Sequence, residues 1–470
     1  MRLTEAEGEM GGGWIPILFM LGCCPGGDVT AEPNDATVVA FVNVNVIPMD
    51  VERVLRGQTV IVRDGVIRDV GPSGSVDVPD HALRVDGAGR YLVPGLADMH
   101  IHLRSTSELL SYMAWGVTTV VHLSGAMDGA PDLLRYREEL ARGERLGPTL
   151  YASGPILDGE PPIFAGVSVV VRTPAEARRV VSEQQRAGYD FIKVYNNLTP
   201  DVLTAVTAAA HERGMAVIGH IPRKAGRERA LQGALAAGLD LIAHGEEYFF
   251  TYFHGQVDSL LDQGRVPYPD EGRIPEAVRM TLEAGAAVTA NLSFVAMTRR
   301  QLDDLDAVLS DPEARHLEPG VREMWLDQNP TRRPDVQRFD RRERAKYAFL
   351  KTLTLALHDA GVPLLLGTDA SAPGMFPGLS AHLELAELVD AGLTPFEALA
   401  TGTRNAGAFI GTHVAVAEPF GVIAPGQRAD LVLLRENPLD DIRNMSEIVG
   451  VMVRGRWLPR SEIRRQPVSR

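Results

Sequence analysis

Six side chains in this sequence combine the types and spacings of a metal centre: His100, His102, Lys193, His220, His244 and Asp369. Imidazole, amine and carboxylate offer nitrogen and oxygen donors, which hold one or two divalent cations without thiolate. In Asp98-Met99-His100-Ile101-His102 the histidines are separated by one residue, so a strand turns both to the same face. Two core histidines bonded to backbone are the competing reading, and the position just after the Pro94-Gly95 junction favours the metal. Ala216-Val217-Ile218-Gly219-His220 and Leu241-Ile242-Ala243-His244 each close an apolar run with a histidine. Pro363-Leu364-Leu365-Leu366-Gly367-Thr368-Asp369 closes another with a carboxylate, followed by the small residues Ala370 and Ser371 that leave room for a ligand.

Asp190-Phe191-Ile192-Lys193-Val194-Tyr195 alternates, with Ile192 and Val194 on a helix-packing face and Phe191, Lys193 and Tyr195 on the opposite, lumen-facing side. An ammonium turned into a barrel is costly unless its charge is compensated. A carboxylate partner is one compensation. Reaction with carbon dioxide is another, giving an N6-carboxylated lysine whose two oxygens can bridge two cations. A lysine exposed at the strand end is the third reading, and the sequence leaves all three open.

The elements that position these residues follow from the rhythm of the chain. Between Pro94 and about Ile410, buried strands alternate with amphipathic helices, the pattern of a parallel sheet with helical crossovers. Strands are expected to end near His102, His122, Gly154, Tyr195, His220, His244, Asn291 and Asp369, and eight is the number that closes a barrel with its active groups on the C-terminal rim. Thr173-Pro174-Ala175-Glu176 and Thr394-Pro395-Phe396-Glu397 each combine a capping Thr, a Pro at the first helical position and a Glu three residues after the cap. The charged stretch from about Thr298 to Ala348 reads as a solvated helical excursion that roofs the site, and its basic residues Arg332, Arg333, Arg341, Arg342 and Arg344 read as a surface face, with substrate contact as the alternative. Short strands with turns recur from Thr37 to Val93 and again near the end, so the two ends pair into one small domain. The expected class is α/β, a (β/α)8 TIM barrel over 94–419 with a β-sandwich built from 37–93 and 420–465.

With that order in place, the chain resembles the amidohydrolase superfamily, in the branch of imidazolonepropionase-related and Xaa-Pro-dipeptidase-like proteins. His-x-His, the lysine of Ile192-Lys193-Val194-Tyr195, the two later histidines and Gly367-Thr368-Asp369 stand in family sequence. Pro94-Gly95-Leu96-Ala97-Asp98-Met99-His100, Gly116-Val117-Thr118-Thr119-Val120, Ala391-Gly392-Leu393-Thr394-Pro395 and Gly426-Gln427-Arg428-Ala429-Asp430-Leu431 also look like family signatures. The resemblance implies a first metal on His100, His102 and Asp369 and a second on His220 and His244, with carboxylated Lys193 bridging them. It implies hydrolysis of an amide bond in a small substrate such as a dipeptide, an N-acyl amino acid or a cyclic amide, by attack of a metal-bridging hydroxide. A cation brings the pKa of water from about 16 towards 7; the resemblance then implies Asp369 as the catalytic group that would accept the water's proton and hand it to the leaving amine. Two Zn²⁺ are expected, and Mn²⁺, Co²⁺ and Fe²⁺ suit the same ligands. Tyr195, Arg223, His122 and Ser371 are the candidate substrate contacts at the rim.

A mononuclear deaminase on the same barrel is the nearest rival. Such enzymes carry a glutamate three residues after the strand-five histidine, where this chain has Arg223. A non-catalytic binding scaffold is the rival from another class, and the complete ligand set speaks against it.

Composition narrows the partners. The chain has 470 residues, 45% of them hydrophobic and 23% charged, enough for a large buried core. A net charge of -14 leaves no basic surplus for phosphate backbones, so a small-molecule substrate is expected and nucleic acid is not. The two cysteines, Cys23 and Cys24, are adjacent and poorly placed for an ordinary disulfide. Residues 1–36 read as a leader or tether. The apolar run Trp14 to Gly22 before Cys23 has the form of a lipoprotein signal with a lipid anchor at Cys23, whereas Glu5, Glu7 and Glu9 have the wrong charge for export. Cytoplasmic and exported forms both remain open, and the oligomeric state is not legible.

Overall fold

The computed structural model describes residues 38–125, 133–224, 226–317 and 319–463. The expected leader and Cys23 lie outside them. The chain first lays down β1 (Val38–Val46), β2 (Leu55–Arg63), β3 (Val66–Pro72), β4 (Leu83–Asp86) and β5 (Tyr91–Pro94). Eight strands follow that run parallel to their neighbours: β6 (Leu96–Ile101), β7 (Val117–His122), β8 (Thr149–Ala152), β11 (Phe191–Val194), β12 (Ala216–Gly219), β13 (Leu241–Ile242), β14 (Ala287–Thr289) and β15 (Leu364–Leu365). They end where expected. The short β9 (Ile156–Asp158) and β10 (Ser168–Val170) interrupt the series after β8, and β16 (Leu431–Leu434), β17 (Ile448–Val453) and β18 (Arg456–Pro459) complete the chain.

The parallel strands form two ladders, β6-β7-β8 and β10-β9-β11-β12-β13-β14-β15. Backbone bonds link them at both seams. The Asp190 amide donates to the Ala152 carbonyl (2.8 Å) at one, and the Met99 amide donates to the Leu366 carbonyl (2.8 Å) at the other. Buried on both faces, these strands read as continuous apolar runs, yet their residues sort between two cores. Phe191, Ile218, Leu241 and Leu365 pack together on one side, whereas Ile192, Val217, Ile242 and Leu364 pack against helices on the other. Both predicted helix starts are capped: Thr394 and Glu397 form a reciprocal capping box, and the Glu176 amide donates to the Thr173 hydroxyl (3.2 Å).

The two chain ends join in one sheet of order β18-β17-β16-β5-β1-β2-β3, with β4 paired to β1. Instead of two separate sheets, a single one curls over itself: Phe41 on β1 meets Trp457 on β18 with ring centroids 5.1 Å apart, although three strands lie between them in the ladder. At about 4.8 Å per strand, a flat sheet would hold them roughly 19 Å apart. Arg428, just before β16, ties this sheet to the parallel strands. Its guanidinium donates to Thr119 on β7 (2.7 Å) and pairs with Asp430 (2.6 Å), all three being buried.

The excursion before β15 differs from the expectation. It begins at Leu292, with helices Leu292–Asp303 and Pro319–Asp327 leading to a long helix, Val336–Asp359. It is anchored and not merely solvated. Trp325 is buried against Phe376 and donates from its indole nitrogen to the Ser371 carbonyl (3.2 Å), while Gln301 donates to the Pro373 carbonyl (3.0 Å). Within the charged run, Lys346 is buried between Glu246 (2.6 Å) and Glu343 (2.7 Å). Mutual neutralisation lets these charges leave water, and composition alone does not display it.

Replacing Asp430 by Ala strands the buried Arg428 guanidinium. The expected loss is about 3–5 kcal/mol of stability, read as a lower midpoint in urea or heat; an unchanged midpoint refutes the coupling of the terminal sheet to β7.

Candidate metal centre

The site stands on the C-terminal ends of the parallel strands. The pairing of β6 with β7 shifts register between Asp98 and Ile101, which interrupts simple alternation, yet His100 and His102 still converge with ring centroids 5.2 Å apart. His244 follows β13 and lies 4.6 Å from the His100 ring and 4.7 Å from that of His220, which follows β12. Gly219 lets His220 come this close, because a Cβ there would stand 2.1 Å from the Val194 carbonyl oxygen. Asp369 follows β15 in the left-handed region, φ 62°, with its carboxylate 2.9 Å from His102 Nε2 and 3.4 Å from His100 Nε2. Donor atoms of His100, His244 and Asp369 all lie within 4.8 Å of one another.

The hydrogen bonds leave three inward nitrogens bare. His100 Nδ1 donates to the Ala243 carbonyl (3.1 Å), so Nε2 carries the lone pair, and that atom is buried without a hydrogen-bond partner. His244 Nδ1 is equally bare. Lys193, 1% exposed on β11, has no partner for its Nζ. Burial pulls its pKa down to about 8 against the opposing pull of Asp369 and Glu247. Burial, reinforced by neighbouring cationic groups, likewise holds His100 and His220 well below the ordinary imidazole range. Asp369 stays ionised: burial pushes it up, but the His102 hydrogen bond and surrounding charges bring it to about 2. Buried polar atoms normally find partners. A converging group of imidazoles, an amine and a carboxylate, three of whose buried nitrogens have no partner, fits a divalent cation.

Other side chains fix these donors. The Asp98 carboxylate accepts from the His100 amide (3.3 Å), the Thr368 amide (3.1 Å) and the Thr368 hydroxyl (2.6 Å), locking β6 to the segment that carries Asp369. Glu247 is fully buried; it faces His220 Nδ1 at 3.0 Å and accepts from Arg223 (2.7 Å) and the Ile221 amide (3.1 Å). Ser124 stands 3.0 Å from His102 Nδ1.

Three of the four rim candidates are engaged elsewhere. His122 takes the Leu103 amide on Nδ1 (2.9 Å) and faces the Gly125 carbonyl from Nε2 (2.6 Å), and burial brings its pKa to about 3. Ser371 is buried and donates to Glu108 (3.1 Å). Arg223 is held by Glu247 and lies over the Phe250 ring at 5.2 Å. Tyr195 remains at the site, its ring 4.0 Å from that of His220.

Residues 91–458 match the model of the Amidohydrolase family. The chain belongs to that family. It is 25% identical to ochratoxinase of Aspergillus niger over 89% of this chain and 85% of that one. To the imidazolonepropionase of Ralstonia nicotianae it is 27% identical, over 82% of this chain and 88% of the relative. A solved Xaa-Pro dipeptidase with bound methionine in its active site shares the fold, with a TM-score of 0.65 and 19% identity over 90% of this chain and all of that one. The protein is therefore a hydrolase acting on carbon–nitrogen bonds, in a superfamily that generally uses divalent metals.

Sequence reasoning passed over several residues of this amidohydrolase. Glu247 follows His244 so closely that it reads as an ordinary first-turn acid. Asn291, 1% exposed at the end of β14 between the His244 and Asp369 strands, has no partner for either amide atom. The signal was present, because Asn291 ends an apolar strand as His220 and His244 do.

Glu247 orients His220 as a carboxylate behind a metal ligand does, so Glu247→Ala lowers metal affinity by about 10- to 100-fold. Competition with a chelator measures it; unaltered affinity removes Glu247 from the site's support.

Proposed function

We propose that this amidohydrolase cleaves an amide bond of a small substrate, such as a dipeptide, an N-acyl amino acid or a cyclic amide, at a centre of two divalent ions on a closed eight-stranded barrel. The observation that carries this reading is Lys193, a buried amine without a partner among histidines whose lone pairs are also bare. An amine with its pKa near 8 is neutral in a useful fraction of molecules at neutral pH, and the neutral form adds carbon dioxide, its nitrogen bonding to the carbon and giving up one N–H proton to solvent. The resulting carbamate gives the lumen two oxygens in place of an uncompensated ammonium. His100, His102 and Asp369 would then hold one ion and His220 and His244 the other, with N6-carboxylated Lys193 between them; zinc suits these donors. Such ions supply hydroxide at neutral pH and polarise the scissile carbonyl.

The remaining steps belong to the chain's own side chains. Asp369, ionised throughout the working range, accepts a proton from water and returns it to the departing nitrogen. Asn291 offers an amide to the substrate, and Tyr195 covers the His220 side of the site. Glu247 keeps His220 in one tautomer. The deaminase alternative needs a free carboxylate beside the strand-five histidine; Glu247 is the one within reach, and Arg223, the Ile221 amide and His220 already occupy it.

Metal analysis of wild type and Lys193→Ala tests the proposal, together with turnover of a panel of dipeptides and N-acyl amino acids. The variant is expected to bind fewer than two equivalents and to lose at least about a hundredfold in kcat, the scale of removing one metal-borne stabilisation. Two retained equivalents with full turnover sink the bridging role. Asn291→Ala is expected to lower kcat/KM by about tenfold with metal content intact; loss of metal instead makes Asn291 a support of the centre.

A further inference from the structure

A cavity of about 250 Å³ lies beneath the excursion, bordered by Glu246, Phe250, Phe294, Phe339, Arg342 and Pro373 among others. Its position relative to the metal centre follows from the chain. Glu246 comes two residues after His244, Phe294 three after Asn291 and Pro373 four after Asp369, so the segments leaving β13, β14 and β15 form its floor. The charge of Glu246 is felt by both His244 and Tyr195. The far wall comes from the long helix Val336–Asp359, through Phe339 and Arg342.

Arg342 is the unusual member of this lining. Its guanidinium lies between two rings, 5.6 Å from the Phe250 centroid and 5.0 Å from that of Phe339, with Nε directed to Glu343 at 3.3 Å. Its two terminal nitrogens make no hydrogen bond to described residues. Of five N–H donors held in a planar fork, four are left for something else. The two acidic side chains in the lining are already committed: Lys346 lies between Glu246 and Glu343, and Arg342 Nε takes the remaining side of Glu343. The cavity thus combines aromatic walls with the unused donors of a guanidinium, and the two carboxylates nearest to that guanidinium's helix are paired with Lys346. The complementary ligand carries a planar apolar group and a carboxylate, which a guanidinium holds through paired hydrogen bonds.

We propose that this cavity is a substrate subsite for an aromatic group bearing a carboxylate, with Arg342 as the residue that recognises the anion. Resting on the hydrolytic reading above, it narrows the substrate to amides whose flank is an aromatic acid.

Equilibrium binding of phenylacetate, phenylacetamide and acetate to the full metal-loaded chain, followed by calorimetry, tests it without turnover. Wild type is expected to bind phenylacetate about tenfold more tightly than phenylacetamide, the scale of one charge-assisted hydrogen bond, and more tightly than acetate. Arg342→Met, which keeps the aliphatic stem, abolishes the preference for acid over amide; Arg342→Lys, which keeps the charge and guards against a folding defect in the first variant, retains part of it. Arg341→Met, at the exposed neighbour, leaves it unchanged. Equal binding of acid and amide by wild type, a preference that survives Arg342→Met, or acetate bound as tightly as phenylacetate overturns the subsite. If the binding preference holds but no amide is hydrolysed, the hydrolytic reading falls and the subsite stands.

Discussion

Four imidazoles, an amine and a carboxylate are brought together in the interior of a protein, and His100 Nε2, His244 Nδ1 and Lys193 Nζ are left there without hydrogen-bond partners. Polar groups removed from water without hydrogen bonds are costly, so the fold must hold them in place through contacts made elsewhere. Three of the four histidines are gripped from behind: His100 by the Ala243 carbonyl, His102 by Ser124, His220 by Glu247 and Asn196. The apolar strands beneath are buried on both faces and supply the stability that the polar rim withdraws. Rigidity and unsatisfied lone pairs are thus two aspects of one arrangement, since a flexible rim would collapse into its own hydrogen bonds.

Support of this kind comes from outside each strand. Asp98 joins the first parallel strand to the segment after the last, and Glu247 crosses from the sixth to the fifth. The excursion reaches back through Trp325 and Gln301 to the loop that follows Asp369. The excursion and the segment that carries Asp369 therefore share that loop, and anything that reshapes one is felt by the other.

The parallel strands and the six candidate ligands were legible because each rests on a local signal: an apolar run, its length and the polar residue that stops it. Lys193 was legible as a residue of the Phe191 face because alternation places the two together, and the two strand faces do sort as that pattern requires. The supporting residues were not. Glu247 and Asp98 act through neighbours far away in the chain, and sequence spacing carries no record of that proximity. For the same reason Arg223, His122 and Ser371 looked available at the rim, although Glu247, the Leu103 amide with the Gly125 carbonyl, and Glu108 engage them. The excursion was misread because composition counts charges singly, whereas Glu246, Glu343 and Lys346 are buried as a set.

The sheet shared by the two ends of the chain bears on how the molecule is made. β5 pairs on one side with β1 and on the other with β16. Chains emerge from synthesis N-terminus first, so one edge of β5 has no partner until the whole series of parallel strands and the excursion have followed. An open strand edge is a template for unwanted pairing, and contacts of such wide sequence separation form late. The segment that later seals the sheet is thus, for most of the chain's synthesis, the one whose absence leaves it most open to aggregation.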